Sequence, residues 1–344
     1  MRVLLAGLGN RGGLWGKVLS EDPGTTIAAI VDVDPIRIET FQRQLESLPA
    51  YETVAVALAR EPIDAVVLVT PPEGRRVQTD AAFAAGVPVL SEKPLALDLQ
   101  EAHAIVAAGE AAGVPLSVGL NFRYLPVSQA IKSLIASQRM GAPAFGIFNY
   151  MRNRDWWRPG MNTYPQTMEH PMMLEQTIHH LDLIRYCYGR EVAALTCRTW
   201  NPPWSVYRGD ANVTCQLTLE GGMEVVYTGT WTGGWNDLRF EWRTDCAEGV
   251  VIQRQLFSDL VVAGTEDAEP TVVPLETCEP FLDDTRALWS AFRASVAADE
   301  PVPCTGRDHL ESLTVCFAAL KAHEDGARVE MAAFRADHGL PSPG

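Results

Sequence analysis

The chain has 344 residues, 47% hydrophobic and 21% charged, so it is long enough for two domains with substantial buried cores. Its formal net charge of -15 repels nucleic acid and anionic membrane surfaces, which excludes both as general partners. No apolar stretch approaches the roughly 18 residues of a membrane span, and the apolar run that ends at Gly7 is too short for a signal peptide. We therefore expect a soluble, cytoplasmic protein.

The first third of the chain alternates apolar runs with helix-like segments. Strands are predicted at residues 3–6, 27–31, 65–69, 87–90 and 116–118, and helices at 14–20, 35–46, 73–85 and 98–112. This alternation predicts an α/β Rossmann domain over residues 1–120, with a parallel, doubly wound sheet covered on both faces. Its ligand crevice is expected at the carboxyl ends of the strands.

A glycine-rich turn joins the first predicted strand to the first helix. Its sequence is Gly7-Leu8-Gly9-Asn10-Arg11-Gly12. Gly7 permits the tight turn, Gly9 lets the backbone approach a pyrophosphate, and Gly12 lets the helix pack close to the strand. In this strand and helix context the turn predicts a dinucleotide-binding site at the helix N-terminus.

Asp32 at the end of the second strand bears on which dinucleotide binds. Its carboxylate can accept hydrogen bonds from the adenosine ribose and would repel a 2′-phosphate, so NAD is favoured over NADP. Arg37 lies five residues on and is able to pair with such a phosphate. Asp32 also suits the start of a helix, a role compatible with cofactor binding.

Two further turns follow strands of the same predicted sheet. Thr70 and Pro71 follow the third strand, and Glu92 and Lys93 follow the fourth, in a Ser-Glu-Lys-Pro sequence. Because the carboxyl ends of parallel strands meet at one edge, both turns are predicted to lie beside the bound cofactor.

Beyond residue 121 the pattern changes to that of an α+β domain. Strands are predicted at residues 144–151, 193–200, 212–219, 224–231, 239–244, 250–253 and 260–262, and helices at 126–137, 172–188, 281–297 and 307–324. The strands follow one another through short turns, which predicts an antiparallel sheet. We assign residues 121–344 to one second domain for substrate binding and oligomerisation.

The predicted helix 172–188 carries the second informative motif. At helical spacing Glu175, His179 and Asp182 share one face, while apolar side chains line another. Two adjacent histidines flanked by carboxylates indicate a functional site about as readily as a structural one. No HExxH motif or cysteine cluster supplies further metal ligands, so no metal site is predicted. His180 is interpreted as structural.

Taken with Asn121-Phe122-Arg123-Tyr124, these motifs resemble those of the Gfo/Idh/MocA oxidoreductases over essentially the whole chain. The resemblance implies a Rossmann domain followed by an α+β domain with a large open, mainly antiparallel sheet. That sheet commonly serves oligomerisation, which implies a homodimer or homotetramer. The implied activity is NAD(P)-dependent oxidation of a hydroxyl of a sugar, polyol or inositol, or the reverse reduction.

The resemblance also implies roles for single residues. Lys93 matches the lysine that contacts substrate and nicotinamide, His179 matches the general acid/base, and Glu175 stands where many members have Asp. Alcohol oxidation needs a base for the hydroxyl proton, and imidazole titrates near working pH. The cofactor-binding set is Gly7, Gly9, Asn10, Arg11, Gly12, Asp32, Thr70, Pro71, Glu92 and Lys93.

The substrate side departs from the family pattern in places. Arg75 stands where many members carry a histidine, and the segment before Glu175 contains His170 instead of the common glycines. Aromatic rings stack on sugars, and other side chains in this part of the chain can donate hydrogen bonds. The candidate substrate residues are Arg123, Tyr124, Trp156, Trp157 and His170. Trp231 and Trp242 are interpreted mainly as core or interface residues.

Two other functions fit the same motifs. Some relatives use bound NAD transiently to cleave glycosides or eliminate a substituent through a 3-keto intermediate, which would make this chain a glycosidase or lyase. A cofactor-binding sensor without turnover is the third possibility.

Overall fold

The computed structural model describes residues 1–45, 48–156, 163–235 and 237–341. Within them the chain forms two compact units. The first comprises Met1–Asn121 with Phe281–Leu310, and the second comprises Phe122–Pro280 with Glu311–Gly344. The segment Phe281–Leu310 therefore groups with the first unit, whereas the sequence interpretation assigned it to the second domain.

The first unit is built on a six-stranded parallel sheet. Its order is β3-β2-β1-β4-β5-β6, and the strands are β1 (Arg2–Ala6), β2 (Thr26–Val31), β3 (Ala50–Tyr51), β4 (Ala65–Leu68), β5 (Val89–Ser91) and β6 (Leu116–Val118). Four of the five residues of β1 and all of β4 are buried, as expected for strands covered on both faces. This sheet confirms the predicted Rossmann fold.

Helices cover the sheet of the first unit. They are α1 (Asn10–Glu21), α2 (Pro35–Leu45), α3 (Val54–Arg60), α4 (Arg75–Ala84) and α5 (Leu99–Ala112), followed much later by α9 (Asp283–Ala298). The Trp289 indole of α9 donates hydrogen bonds to Asp22 Oδ2 at 2.9 Å and Thr25 Oγ1 at 3.0 Å. These contacts, with the buried Trp289 ring, tie α9 to the end of α1.

The second unit contains a nine-stranded sheet. Its order is β14-β13-β12-β11-β7-β10-β9-β8-β15, and the strands are β7 (Pro143–Met151), β8 (Val192–Trp200), β9 (Asn212–Leu219), β10 (Glu224–Thr230), β11 (Arg239–Cys246), β12 (Gly249–Gln255), β13 (Ser258–Gly264), β14 (Thr271–Val272) and β15 (Val329–Glu330). Neighbours pair antiparallel except β7 and β10, which are parallel. The predicted open, mainly antiparallel sheet is confirmed.

One face of this sheet is covered by helical segments. The 3-10 turn Asn121–Tyr124 leads into α6 (Pro126–Ala136), and α7 (Tyr164–Thr167) precedes a π-helical turn (Met172–Thr177) and α8 (Ile178–Tyr188); α10 (Gly306–Asp325) and α11 (Met331–Asp337) end the chain. Ten of the eleven residues of α8 are buried, so α8 is a core helix of the second unit. Trp231 and Trp242 are also buried in this unit.

The strands that the sequence patterns did not predict are short. Strands β3, β14 and β15 have two residues each, which is too short for an alternation pattern. Their strand geometry comes from pairing with the longer neighbours β2, β13 and β8. Among the described helices, none combines the length and apolar character needed to cross a membrane.

Candidate functional site

The glycine turn has the geometry that its residues predicted. Gly7 has a φ of +94°, and a Cβ there would lie 2.6 Å from the Val69 carbonyl carbon. A Cβ on Gly12 would lie 2.1 Å from the Gly7 carbonyl oxygen. Both positions therefore require glycine, the first for backbone conformation and close approach, the second for packing of α1 against the turn.

Gly9 differs from these two glycines because a Cβ there would meet nothing within 4 Å. It occupies the N-cap of α1, so no side chain from this position covers the first helical amides, and Asn10 begins the helix. Free amides at a helix N-terminus attract phosphate oxygens. The space at Gly9 and the uncapped helix end fit the pyrophosphate of a dinucleotide.

Asp32 directly follows β2, and the residue is 7% exposed. Oδ2 accepts the Leu8 N–H at 2.7 Å and Oδ1 accepts the Asp34 N–H at 2.9 Å. Arg37 Nη1 is 3.9 Å from Oδ1, and its side chain is 54% exposed. A carboxylate offers about four acceptor positions, so Asp32 is anchored to the glycine turn and still able to accept ribose hydroxyls.

The structure brings Arg11 and Glu92 together. Arg11 Nε donates to Glu92 Oε1 at 2.6 Å, and the buried Trp15 indole donates to the same oxygen at 2.7 Å. Burial by itself would raise the pKa of Glu92, but the Arg11 charge, the Trp15 hydrogen bond and the Lys93 charge together lower it below its ordinary value. Glu92 is therefore an ionised anchor that fastens the turn after β5 to the first turns of α1.

Arg75 holds the same turn from its other side. The Arg75 side chain is 1% exposed, and its Nη1 donates to the carbonyl oxygens of Glu92, at 2.5 Å, and of Pro94. Nη2 donates to the carbonyl of Thr70. The half-buried Lys93 lies between two of these carbonyls and is joined to Pro94 by a cis peptide bond. Arg75 thus fixes the backbone that carries Lys93.

His309 completes this support. It is fully buried, and its Nε2 accepts the Leu95 N–H at 3.2 Å. Sequence analysis did not identify Trp15 or His309, because neither lies in a motif. The position of Arg75 soon after Thr70 and Pro71 indicates that it lies near the site. The sequence does not show that its side chain binds backbone carbonyls.

We expect Arg75→Ala to lower the free energy of unfolding by about 2–3 kcal/mol, because three carbonyls lose a buried charged donor. Urea denaturation measures this loss. Arg76→Ala is the control, since Arg76 forms a half-exposed pair with Asp80 at 2.8 Å and contributes below about 1 kcal/mol. Equal losses in both variants contradict the assignment.

In the second unit, the predicted helix 172–188 is divided into two parts. Residues Met172–Thr177 form a π-helical turn, and the α-helix begins at Ile178. The predicted helix is present over its whole length, but apolar periodicity does not distinguish i+4 from i+5 hydrogen bonding, so the π-helical geometry of its first six residues did not follow from the sequence. Glu175 is half-buried in the π-helical turn, and His179 lies one residue inside α8.

His179 is 8% exposed and its ring stacks on Phe122, with centroids 4.4 Å apart and an interplanar angle of 25°. His180 is 1% exposed, with Nδ1 2.9 Å from the Tyr227 hydroxyl and Nε2 3.0 Å from Gln176. Burial lowers the pKa of His180 to about 3, so this ring is neutral near pH 7. Its contacts with the sheet support the structural interpretation of His180.

Asp182 lies in the interior of the second unit. It is 2% exposed, and Arg123 donates to both of its oxygens, at 2.8 Å from Nε and 2.6 Å from Nη2. Ser312 Oγ donates to Oδ1 at 2.7 Å, and Arg185 Nη1 lies 3.8 Å from the same oxygen. Asp182 is therefore the centre of an interior charge network and not a group presented to a ligand.

This network also changes the interpretation of Arg123. Its guanidinium, 8% exposed, is held by Asp182 and lies over the Tyr186 ring at 4.8 Å, so it secures α8. Tyr124, Trp156 and His170 are half-buried in the second unit. Trp157 lies outside the described residues.

Comparisons with known proteins agree with this architecture. A family model described as an oxidoreductase family with an NAD-binding Rossmann fold, GFO/IDH/MocA, matches residues 1–120, and the model of a GFO/IDH/MocA C-terminal domain matches residues 128–248. The chain is 28% identical to D-apiose dehydrogenase of Paraburkholderia graminis, over 91% of this chain and 85% of that protein. It is 27% identical to a myo-inositol dehydrogenase of Streptomyces leeuwenhoekii, over 95% and 98%.

Among solved structures, an oxidoreductase from Agrobacterium radiobacter in complex with NAD+, L-tartaric acid and magnesium superposes with a TM-score of 0.88. It is 24% identical, and the match covers 97% of this chain and 99% of that one. At this identity the likeness establishes the fold.

Proposed function

The chain belongs to the Gfo/Idh/MocA oxidoreductase family and is an NAD(P)-dependent oxidoreductase, and we propose that it is an NAD-dependent dehydrogenase of a sugar, polyol or inositol. The proposed reaction transfers hydride between nicotinamide and a secondary hydroxyl or the corresponding ketone. One observation carries the proposal: Lys93 follows β5 at the carboxyl edge of the parallel sheet, in a turn fixed by Arg75 and Glu92.

Lys93 is proposed to bind the reacting oxygen of the substrate. Its ammonium group would stabilise the negative charge that develops on that oxygen as the hydroxyl proton leaves. The cofactor supplies the hydride acceptor or donor when it is bound. Because the backbone on both sides of Lys93 is held by Arg75, the ammonium starts from a fixed position, which reduces the cost of orienting it.

His179 is proposed to move the hydroxyl proton as general base in oxidation and general acid in reduction. The Phe122 ring stacked on His179 limits how its imidazole can turn, which is useful for directed proton transfer. Glu175 is proposed to orient His179 or to bind a substrate hydroxyl. The π-helical turn that carries Glu175 supports this role, since such turns occur frequently at functional sites.

Arg123 is proposed to act through Asp182 as a positioning residue for the helix that carries His179. Tyr124, Trp156, Trp157 and His170 stay proposals for substrate contact, with Trp rings stacking on the C–H faces of a carbohydrate. The relatives named for D-apiose and myo-inositol support a substrate with several hydroxyl groups.

The preference for NAD is proposed on the position of Asp32, supported by the NAD+ complex of the Agrobacterium radiobacter oxidoreductase. We expect Asp32→Ala to lower the ratio of kcat/KM for NAD to that for NADP by about tenfold or more, because a negative charge that repels the 2′-phosphate is removed. Arg37 loses a neighbouring carboxylate and gains freedom to pair with the phosphate. Initial rates with both cofactors measure the ratio. Asp34→Ala is the control for freeing Arg37, because Asp34 pairs with Arg37 at 3.4 Å while the Leu8 N–H is bound by Asp32; an equal change in both variants, or an unchanged ratio in Asp32→Ala, contradicts the proposal.

The proposed function is tested by mixing the purified protein with NAD or NADP and a panel of monosaccharides, inositols and glycosides. Steady growth of NADH absorbance supports dehydrogenation. Release of a leaving group without net NADH would indicate the glycosidase or lyase instead. Cofactor binding with no product from any compound would favour a sensor.

A homodimer or homotetramer through the open sheet is also proposed. Light scattering coupled to gel filtration tests it, and a monomer at working concentration contradicts it. The cytoplasmic location stays a prediction.

A further inference from the structure

Asp284 is a buried carboxyl group whose two oxygens have different surroundings. It is the second residue of α9 and is 1% exposed. Its Oδ2 accepts a hydrogen bond from the Asn121 side-chain amide. For Oδ1, the described residues provide no donor with the geometry of a hydrogen bond. Buried carboxylate oxygens are rarely left in this condition, because the lost hydration is costly.

Asp284 lies at the carboxyl edge of the parallel sheet. Asn121, its partner, follows β6 by three residues. The next residue, Thr285, accepts a hydrogen bond from Arg11 Nη2 at 3.3 Å, and Arg11 is in the first turn of α1. Arg11 in turn pairs with Glu92, which follows β5. The start of α9 therefore meets the ends of β5 and β6 beside the N-terminus of α1, where a Rossmann sheet binds its ligand.

The sheet order decides which half of the dinucleotide this position faces. Asp32 directly follows β2, on the β3-β2 side of the central β1 strand, and is the group that would bind the adenosine ribose. With the pyrophosphate bound at the glycine turn between β1 and α1, the nicotinamide half would lie on the opposite side, towards β4, β5 and β6. Asp284 belongs to that side through Asn121 and Arg11.

The charge state of Asp284 suits an acceptor. Burial raises its pKa to about 6, while hydrogen bonds from Asn121 and the backbone and the Arg11 charge oppose this rise. The backbone N–H groups of Phe281 and Asp284 are near enough to lower the pKa of Asp284 in part, but neither has the geometry of a hydrogen bond with Oδ1. At pH 8 the carboxyl is therefore ionised, and both oxygens accept only.

We propose that Asp284 Oδ1 accepts a hydrogen bond from the carboxamide N–H of the nicotinamide, and so fixes the rotation of the ring that exchanges hydride. This inference rests on the proposed use of NAD. The carboxamide is the one N–H donor that the nicotinamide half carries. Because it is bonded to the ring, the place it occupies sets the rotation of the ring about its bond to the ribose, and therefore which face of the ring is presented. Asn121 holds Oδ2 and thereby sets the direction of Oδ1.

The test measures binding of three oxidised dinucleotides by calorimetry at pH 8, without turnover. NAD+ carries the carboxamide, 3-acetylpyridine adenine dinucleotide lacks its N–H, and nicotinic acid adenine dinucleotide replaces it with a carboxylate. The wild-type protein should bind NAD+ about tenfold or more tighter than the acetylpyridine analogue, since a hydrogen bond to a charged acceptor is worth about that factor. It should bind the nicotinic acid analogue more weakly still, because two carboxylates would face each other.

The Asp284→Asn variant should reduce the preference for NAD+ over the acetylpyridine analogue to within about threefold, and should bind the nicotinic acid analogue about tenfold tighter than wild type does. A gain in affinity cannot arise from misfolding. Asp283→Asn is the matched control, because Asp283 is adjacent, 41% exposed and paired with Arg286 at 2.7 Å; it should bind all three as wild type does.

Three results separate the outcomes. Equal binding of NAD+ and the acetylpyridine analogue by the wild-type protein overturns the inference without any variant. Wild-type discrimination retained in Asp284→Asn also overturns it and leaves Asp284 as a structural partner of Asn121. Failure of the wild-type protein to bind NAD+ at all would instead refute the proposed function.

Discussion

Replacement of His179 by alanine is expected to reduce kcat about 10²- to 10⁴-fold, the usual contribution of a positioned general acid or base. The loss should fall on kcat and not on the dissociation constant of NAD+, because the glycine turn and Asp32 belong to the first unit and His179 to the second. Steady-state kinetics and calorimetry of NAD+ binding measure the two quantities separately.

His180→Ala is the matched control for this experiment. His180 is adjacent on α8 and is also buried, but it contacts Tyr227, Gln176 and the Phe148 ring. We expect this variant to lose stability and to keep its turnover per folded molecule. If His180→Ala lost kcat as strongly as His179→Ala, or if His179→Ala kept wild-type kcat, the general acid/base would have to be sought elsewhere.

The fold was predictable wherever a pattern extends over enough residues. The buried run of β1, the glycine turn and Asp32 follow one another within about one strand-helix-strand unit, so local sequence defines them. The return of Phe281–Leu310 to the first unit was not predictable. It depends on contacts such as the Trp289 indole with Asp22, and residues so distant in sequence leave no periodic signal.

For the candidate site, the sequence indicated the residues that lie in short motifs but not the groups that hold them in place. Motifs identified Lys93, Glu92 and His179, because each lies in a short run with a recognisable neighbour. The groups that hold them did not follow from any motif: Arg75 acts through backbone carbonyls, and Glu92 is anchored by the Trp15 indole. Every residue carries a backbone carbonyl, so the sequence does not show which carbonyls a side chain will contact after folding.

Arg123 has a partner that its own motif does not predict. A basic residue beside aromatic residues in a family motif is typical of ligand binding, and in the fold its guanidinium pairs with Asp182, 59 positions later. Spacing on a helix placed Asp182 near Glu175 and His179, but it did not show that Asp182 is enclosed in a charge network with Arg123 and Ser312. The sequence shows that residue 123 carries a positive charge, and the fold determines that Asp182 pairs with it.

That network gives the largest stability effect that we expect. Asp182→Asn should lower the free energy of unfolding by about 3–5 kcal/mol, because it leaves the Arg123 guanidinium buried without a counter-charge while the side-chain volume stays the same. A loss of this size is a large fraction of the stability of an ordinary domain, about 5–15 kcal/mol. Urea denaturation followed by circular dichroism measures it.

The chain contains a control with almost the same bonding geometry. Arg243 donates to Asp245 at 2.8 Å from Nε and 2.6 Å from Nη2, the same two distances as in the Arg123–Asp182 pair, but both side chains are about 40% exposed. Water restores the solvation of Arg243 when its partner is neutralised, so Asp245→Asn should cost less than about 1 kcal/mol. If the two variants lost equal stability, burial would not be the source of the effect, and the network around Asp182 would have no special part in holding the helix of His179.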